Sequence, residues 1–218
     1  MQPTETYVYC LLKCKKYSLL LTTFMDSSAI KISFDKVRHA LQNLGNFSSS
    51  ELDLITNHLR SLIFAKDEYL LKEGKVCRSF YFVQKGGFRQ YQITDTGEEI
   101  TQNLYLSGEW MLDYKSMTSQ KASSASIQAT EDSEVFELNV YDLHKLMKLS
   151  DVFFLLGRIF QYGNELQDIQ IQSKTPKDRY LYLLQNKPQV IQRFALKYIA
   201  SYLGMTPETL SRVRRSLA

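Results

Sequence analysis

Between residues 61 and 139 a turn signal recurs every ten to twelve residues: Gly74, Gly86–Gly87, Gly97 and Gly108 punctuate short aromatic and β-branched runs. The runs read "SLIFAKDEYLLKEGK", "SFYFVQKGGFRQYQIT", "EEITQNLYLSGEW" and "SIQATEDSEVFELN". That spacing predicts an antiparallel sandwich or small barrel. The same span holds no histidine. A metal-dependent barrel enzyme of the cupin type would need clustered His and carboxylate ligands on those strands, so this class is set aside and the chain is not expected to be an enzyme.

Helical periods flank the strands. In "FDKVRHALQNLGNF" Phe34, Val37, Leu41 and Leu44 keep helical spacing, with Gly45 placed to end the helix. "SSSELDLITNHL" follows with Ser caps and an acidic first turn. After Asn139, Val152, Leu155, Ile159, Tyr162, Leu166 and Ile169 step by 3, 4, 3, 4, 3, a heptad seam. It predicts one long helix over 151–172 and a homodimer built along it, with Leu155, Ile159, Tyr162, Leu166 and Ile169 in the interface.

Charge divides the chain in a second way. Of 27 Lys and Arg and 23 Asp and Glu, nine bases and two acids lie in 173–218, leaving 18 bases and 21 acids before them. A basic C-terminal unit on a mildly acidic body fits a nucleic-acid binder. Cys10, Cys14 and Cys77 are too few and too irregularly spaced for a disulfide framework or a metal site, which fits a reducing cytoplasm. His39, His58 and His144 are scattered, so no metal and no cofactor is expected. No apolar run reaches the roughly 18 residues of a membrane span. "KCKKYSLLLTTFM" loosely imitates a signal peptide, but Thr22 and Thr23 interrupt it. Residues 1–24 are expected to be an extension outside the fold.

The segment "IASYLGMTPETLSRVRR", residues 199–215, carries the most specific pattern. Leu196, Ile199, Ala200 and Leu203 share one helical face, and Gly204 stands where a helix often ends in a left-handed residue. Thr206 is a good N-cap, Pro207 a good first residue, and Glu208 complements the helix dipole. Two short helices around a tight turn make a helix-turn-helix. On the second helix Leu210, Val213 and Leu217 point one way, while Glu208, Ser211, Arg212 and Arg215 point the other. Arg can pair a guanine edge in bidentate fashion and a carboxylate can accept from cytosine, so this face suits base reading. Glu208 serves equally well as a first-turn dipole complement. The candidate DNA-binding set is Lys197, Thr206, Glu208, Thr209, Ser211, Arg212, Arg214 and Arg215.

The stretch "RYLYLLQNKPQVIQRFALKYIASYLGMTPETLSRVRRSL" resembles the DNA-binding end of the Crp–Fnr superfamily, of the sort common in Bacteroidetes. The resemblance runs from about Phe34 to the end. It implies an α+β chain: an N-terminal antiparallel, jelly-roll-like β-roll of the cyclic-nucleotide-binding type over 25–140, connecting and dimerisation helices over 141–172, and a winged-helix-type helix-turn-helix over 173–218. It implies double-stranded DNA, a second copy and RNA polymerase as partners, a palindromic site, and a small-molecule effector of unknown identity. The family's phosphate cassette reads F-G-E followed by P-R-A-A-T or P-R-A-A-S. Here "SGEW" keeps Gly108 and Glu109, but "ASSAS" puts Ser123 where the phosphate-binding Arg would stand, with Ser124 after it. Without that cation a buried cyclic phosphate lacks its charged partner, so no response to cyclic AMP is expected. The four Cys of the iron–sulfur branch are missing too, and little chain follows the recognition helix to form a wing. The rival reading is a small-molecule sensor whose C-terminal helices bind a protein partner.

Overall fold

The computed structural model describes residues 33–162 and 175–217. Two helices lead in, α1 (Asp35–Leu44) and α2 (Ser49–His58). The serine run caps α2 as expected, and Ser48 and Glu51 make the cap a reciprocal capping box. Eight strands follow: β1 (Arg60–Phe64), β2 (Tyr69–Leu71), β3 (Ser79–Lys85), β4 (Gly87–Ile93), β5 (Glu99–Leu106), β6 (Trp110–Met111), β7 (Ser126–Ala129) and β8 (Ser133–Asn139). A short α3 (Tyr114–Ser119) sits between β6 and β7. All pairings are antiparallel, in two four-stranded sheets of order β1-β8-β3-β6 and β2-β7-β4-β5. This is the expected jelly-roll-like β-roll.

Phe64 of the first sheet meets Phe88 of the second edge-on, so their faces lie between the sheets, while the paired Phe82 and Phe136 share the first sheet's other face with Phe80. Phe80, Phe82, Phe88, Phe136 and Ile127 are all fully buried. Burying each such side chain contributes about 1.5–3 kcal/mol. The first sheet is covered outside as well as inside: Phe34 stacks on Phe136, and Val37, Leu41 and Ile55 join the same core. That explains why β3 reads as a nearly continuous apolar run rather than a clean alternation. Between β3 and β4, Gly86 has φ +95°, and a side chain there would strike Ser133.

The region after Asn139 departs from the expected plan. Helix α4 (Val140–Met147) is followed by a 3₁₀ helix over Asp151–Arg158 and then by α5 (Ile159–Tyr162). Leu143, Leu146, Phe153, Leu156 and Ile159 belong to the β-roll's own core, so the effector body extends past residue 140. Ile159 is 0% exposed and therefore cannot face a second subunit. Leu155 is half-buried against α1, touching the position of Gly45. A 3₁₀ helix turns in three residues, so it does not carry the 3-4 alternation that a coiled-coil seam needs. The expected seam thus fails over 151–159. The side chain of Tyr162, together with Leu166 and Ile169, lies outside the described residues, as does the extension over 1–24.

The C-terminal part is helical: α6 (Pro176–Asn186), α7 (Pro188–Arg193), α8 (Leu196–Tyr202) and α9 (Pro207–Arg215). Among the described residues every strand lies between Arg60 and Asn139, so the wing of the expected winged helix is not part of this structure. From Phe34 onward the described residues pack as a single unit. Among the described residues no helix is long and apolar enough to cross a membrane.

Candidate nucleic-acid interface

The turn between α8 and α9 is fixed by backbone geometry before any side chain acts on a ligand. Gly204 has φ +63°, a region costly for residues with a Cβ. Its N–H donates to the Ser201 carbonyl at 3.0 Å and the Met205 N–H to the Ala200 carbonyl at 3.0 Å, the pair of bonds that defines a Schellman end. Arg179, from α6, donates to the carbonyls of Leu203 at 2.9 Å and Gly204 at 3.3 Å, satisfying acceptors that the helix end leaves free. Thr206 then caps α9 by accepting from the Thr209 N–H at 3.2 Å, and Pro207 takes the first helical position. Ile199, Ala200, Leu203 and Leu210 fill the angle between the two helices, and all are buried.

With that face buried, the opposite one is exposed. Thr206, Glu208, Ser211, Arg212, Arg214 and Arg215 are exposed along α9, Lys197 is exposed on α8, and Thr209 is half-buried. Arg212 donates to the Thr209 hydroxyl at 3.2 Å, and the Thr206 hydroxyl reaches the same oxygen at 3.2 Å. The Glu208 carboxyl is held below its ordinary value, first by its own backbone N–H, then by the Thr206 hydroxyl, and least by Arg212. Glu208 therefore stays ionised and is engaged at the helix start, where it complements the dipole. The whole predicted DNA-binding set shares one unit, three arginines lie on or beside one face, and among the described residues nothing covers them.

The cassette residues have a different fate. Gly108 has φ +98° and its N–H donates to the Val83 carbonyl, which presents Glu109 at the end of β5. Glu109 accepts from the Leu106 N–H at 2.8 Å and from Lys187 Nζ at 2.6 Å. Ser123 is buried and its hydroxyl lies against the Asp113 carboxylate and the Ala125 carbonyl. Ser124 beside it is exposed. At the place where a cyclic phosphate would need a cation, this chain thus presents a serine tied to a carboxylate.

Sequence reasoning missed three participants. Asp113 is hidden because its partner is ten residues away on another turn. Lys187 reads as an ordinary loop lysine before Pro188, yet its partner is 78 residues upstream. Arg89 sits in the middle of a strand and is 5% exposed, bound by Gln128 and by Glu99 at 2.6 Å and stacked between Tyr91 and Tyr198 at 4.0 and 4.2 Å. An arginine in the middle of a strand, between Phe88 and Tyr91, was the available signal.

Comparison with known proteins agrees with this architecture. Residues 62–150 match the cyclic nucleotide-binding domain family. The fumarate and nitrate reduction regulatory protein of Vibrio cholerae is 28% identical over 182 residues, covering 76% of this chain and 72% of that protein. The transcriptional activator protein anr of Pseudomonas aeruginosa is 29% identical over 180 residues, covering 74% and 71%. The fold is also that of FixK2 from Bradyrhizobium japonicum, with a TM-score of 0.60 and 19% identity over 73% of this chain and 84% of that one. A β-roll of the cyclic-nucleotide-binding type joined to a helix-turn-helix defines a class of regulator. The chain is similar to regulators of the Crp–Fnr superfamily.

Proposed function

We propose that this chain is a sequence-specific DNA-binding transcription regulator that acts as a homodimer on a palindromic operator and does not respond to cyclic AMP. The observation that carries the reading is the exposed face of α9, which holds Glu208, Ser211, Arg212 and Arg215 on a helix whose other face is buried and whose entry is fixed by the Schellman turn. Relatives named as regulatory and activator proteins support it. Arg212 reads a base edge; Lys197, Arg214 and Arg215 hold the helix on phosphates. The homodimer forms through the segment after Ile159, with Tyr162, Leu166 and Ile169. RNA polymerase is the machinery it acts on. A two-fold dimer places its two recognition helices about one turn of DNA apart, near 34–36 Å.

The test is in vitro site selection with the wild type, Arg212→Ala and Lys197→Ala, each titrated at several salt concentrations. Loss of the Arg212 contact should cost about 1–3 kcal/mol and relax preference at one base pair per half-site. Loss of Lys197 should weaken all sequences alike and flatten the salt dependence by about one unit of slope. A uniform loss with the motif intact in Arg212→Ala removes Arg212 from base reading. Enrichment of no motif by the wild type turns the reading toward a protein partner.

A further inference from the structure

The β-roll and the DNA-binding helices meet along β5 and the outer face of its sheet, and polar contacts stud that contact. Leu104 and Leu106 of β5 join Tyr180, Leu183 and Ile199 in one apolar cluster. The Thr101 N–H donates to Ser201 Oγ on α8 at 2.8 Å. Arg89 of β4 stacks on Tyr198 of α8, and Arg193 of α7 pairs with Glu131. Gly87 allows Phe194 to come close, since a Cβ there would lie 3.3 Å from the Phe194 ring.

Glu109 stands out among these contacts because both its oxygens are used. One is fixed by the Leu106 N–H of its own sheet and the other holds Lys187. The pair is neither a surface pair nor a buried one, with side chains 31% and 27% exposed. Lys187 lies at the elbow between α6 and α7. Helix α6 in turn carries Arg179, whose guanidinium holds the carbonyls of the α8–α9 turn. A continuous route therefore runs from Glu109 through Lys187, α6 and Arg179 to the start of α9. The Tyr202 hydroxyl is buried nearby with no hydrogen-bond partner among the described residues, and burial followed by the Glu109 carboxylate raises its pKa.

We propose that Glu109 is a positioning residue for DNA recognition: its carboxylate, through Lys187, seats the helices that carry α9 on the β-roll. This deepens and rests on the DNA-binding reading above. The cassette residue that the family resemblance would assign to a ligand is instead part of the joint between the two halves. A helix unit that leaves its seat is no longer held for two half-sites at once, and apparent affinity falls by the fraction still seated.

The test uses the full chain and the duplex selected by the wild type. Glu109→Gln and Lys187→Met should each weaken operator binding on the order of fivefold, and the double variant should be no weaker than either single. Lys187→Arg should retain most of the wild-type affinity. The selected motif and the salt slope should not change, since Lys187 touches a carboxylate and not a phosphate. Amide exchange of Thr101 and of α8 should quicken in both singles while the β-roll core stays protected. Additive losses, a slope lowered by about one unit in Lys187→Met, or unchanged exchange at Thr101 and α8 would each overturn the proposal. Should the wild type select no motif, the DNA-binding reading fails, and the exchange measurement still decides whether Glu109 and Lys187 seat the helices.

Discussion

The β-roll and the DNA-binding helices are held together by different means. The β-roll closes on itself: Phe80, Phe82, Phe88, Phe136 and Phe153 are fully buried, and its rings meet edge-on in pairs such as Phe64–Phe88 and Phe82–Trp110. The helices over 175–217 have a smaller core, and that core includes Leu104 and Leu106, which the β-roll supplies. A segment this short buries too little surface to be stable alone. The helical half borrows its stability, and with the apolar side chains it also acquires a place to sit. The polar residues follow the same asymmetry. On α9 they face outward and are free to meet DNA, while in the cassette they are satisfied inside the protein.

The largest expected effect tests where the β-roll ends. If Ile159 belongs to its core, Ile159→Glu places a charge among Phe153, Leu156 and their neighbours with no partner. The cost should exceed about 3 kcal/mol of folding stability, measured by urea denaturation. A stably folded monomer would instead return Ile159 to a subunit interface.

Ile159 also shows why part of the molecule was legible in the sequence and part was not. Local signals are legible in the sequence: the β-turn glycines, the serine cap of α2, and the Thr206–Pro207 start of α9 each depend on residues within a few positions. The heptad spacing from Val152 to Ile169 is also local, but it only says that one face is apolar. Whether that face meets a second chain or the chain's own body depends on tertiary placement, and over 151–159 it joins the chain's own core, with Leu155 against the end of α1. Cassette residues could be aligned by motif, yet Ser123–Asp113 and Glu109–Lys187 are long-range pairings that no periodicity announces. Arg89 is the middle case: its burial is unreadable, but an arginine in mid-strand beside aromatic residues marks a position that needs a partner if it is buried.

A smaller effect separates the two roles of Glu208. Its folded pKa lies below the ordinary 4.5, so its contribution to stability is complete above that value and is lost as pH falls through the lower folded value. Glu208→Gln should therefore melt below the wild type at neutral pH, and the gap should close as the pH drops beneath 4.5. Glu51 is shifted in the same direction but is present in both proteins, so it cancels in the difference. A gap independent of pH would mean that the carboxylate does not anchor the start of α9. The DNA motif selected by Glu208→Gln then shows whether the same carboxylate also accepts from a base.

The smallest expected effect is none at all, and it concerns the other half. Calorimetry with cyclic AMP up to millimolar concentration should give no saturable heat. Replacing the missing cation alone should not restore a site. In Ser123→Arg the new guanidinium would sit beside Asp113, and a carboxylate in contact is a stronger partner than a phosphate that must first be desolvated. Glu109 would still be held by Lys187. A binding site would need Ser123→Arg together with Asp113→Asn and Lys187→Met, which frees both ends of the cassette at once. Micromolar binding by the wild type would show that the Ser123–Asp113 pair opens for a phosphate. Binding by Ser123→Arg alone would show that Asp113 and Lys187 do not block the cassette. Binding only in the triple variant would place the loss of cyclic-nucleotide chemistry where the structure puts it, in two internal contacts that this chain has made in place of a ligand's.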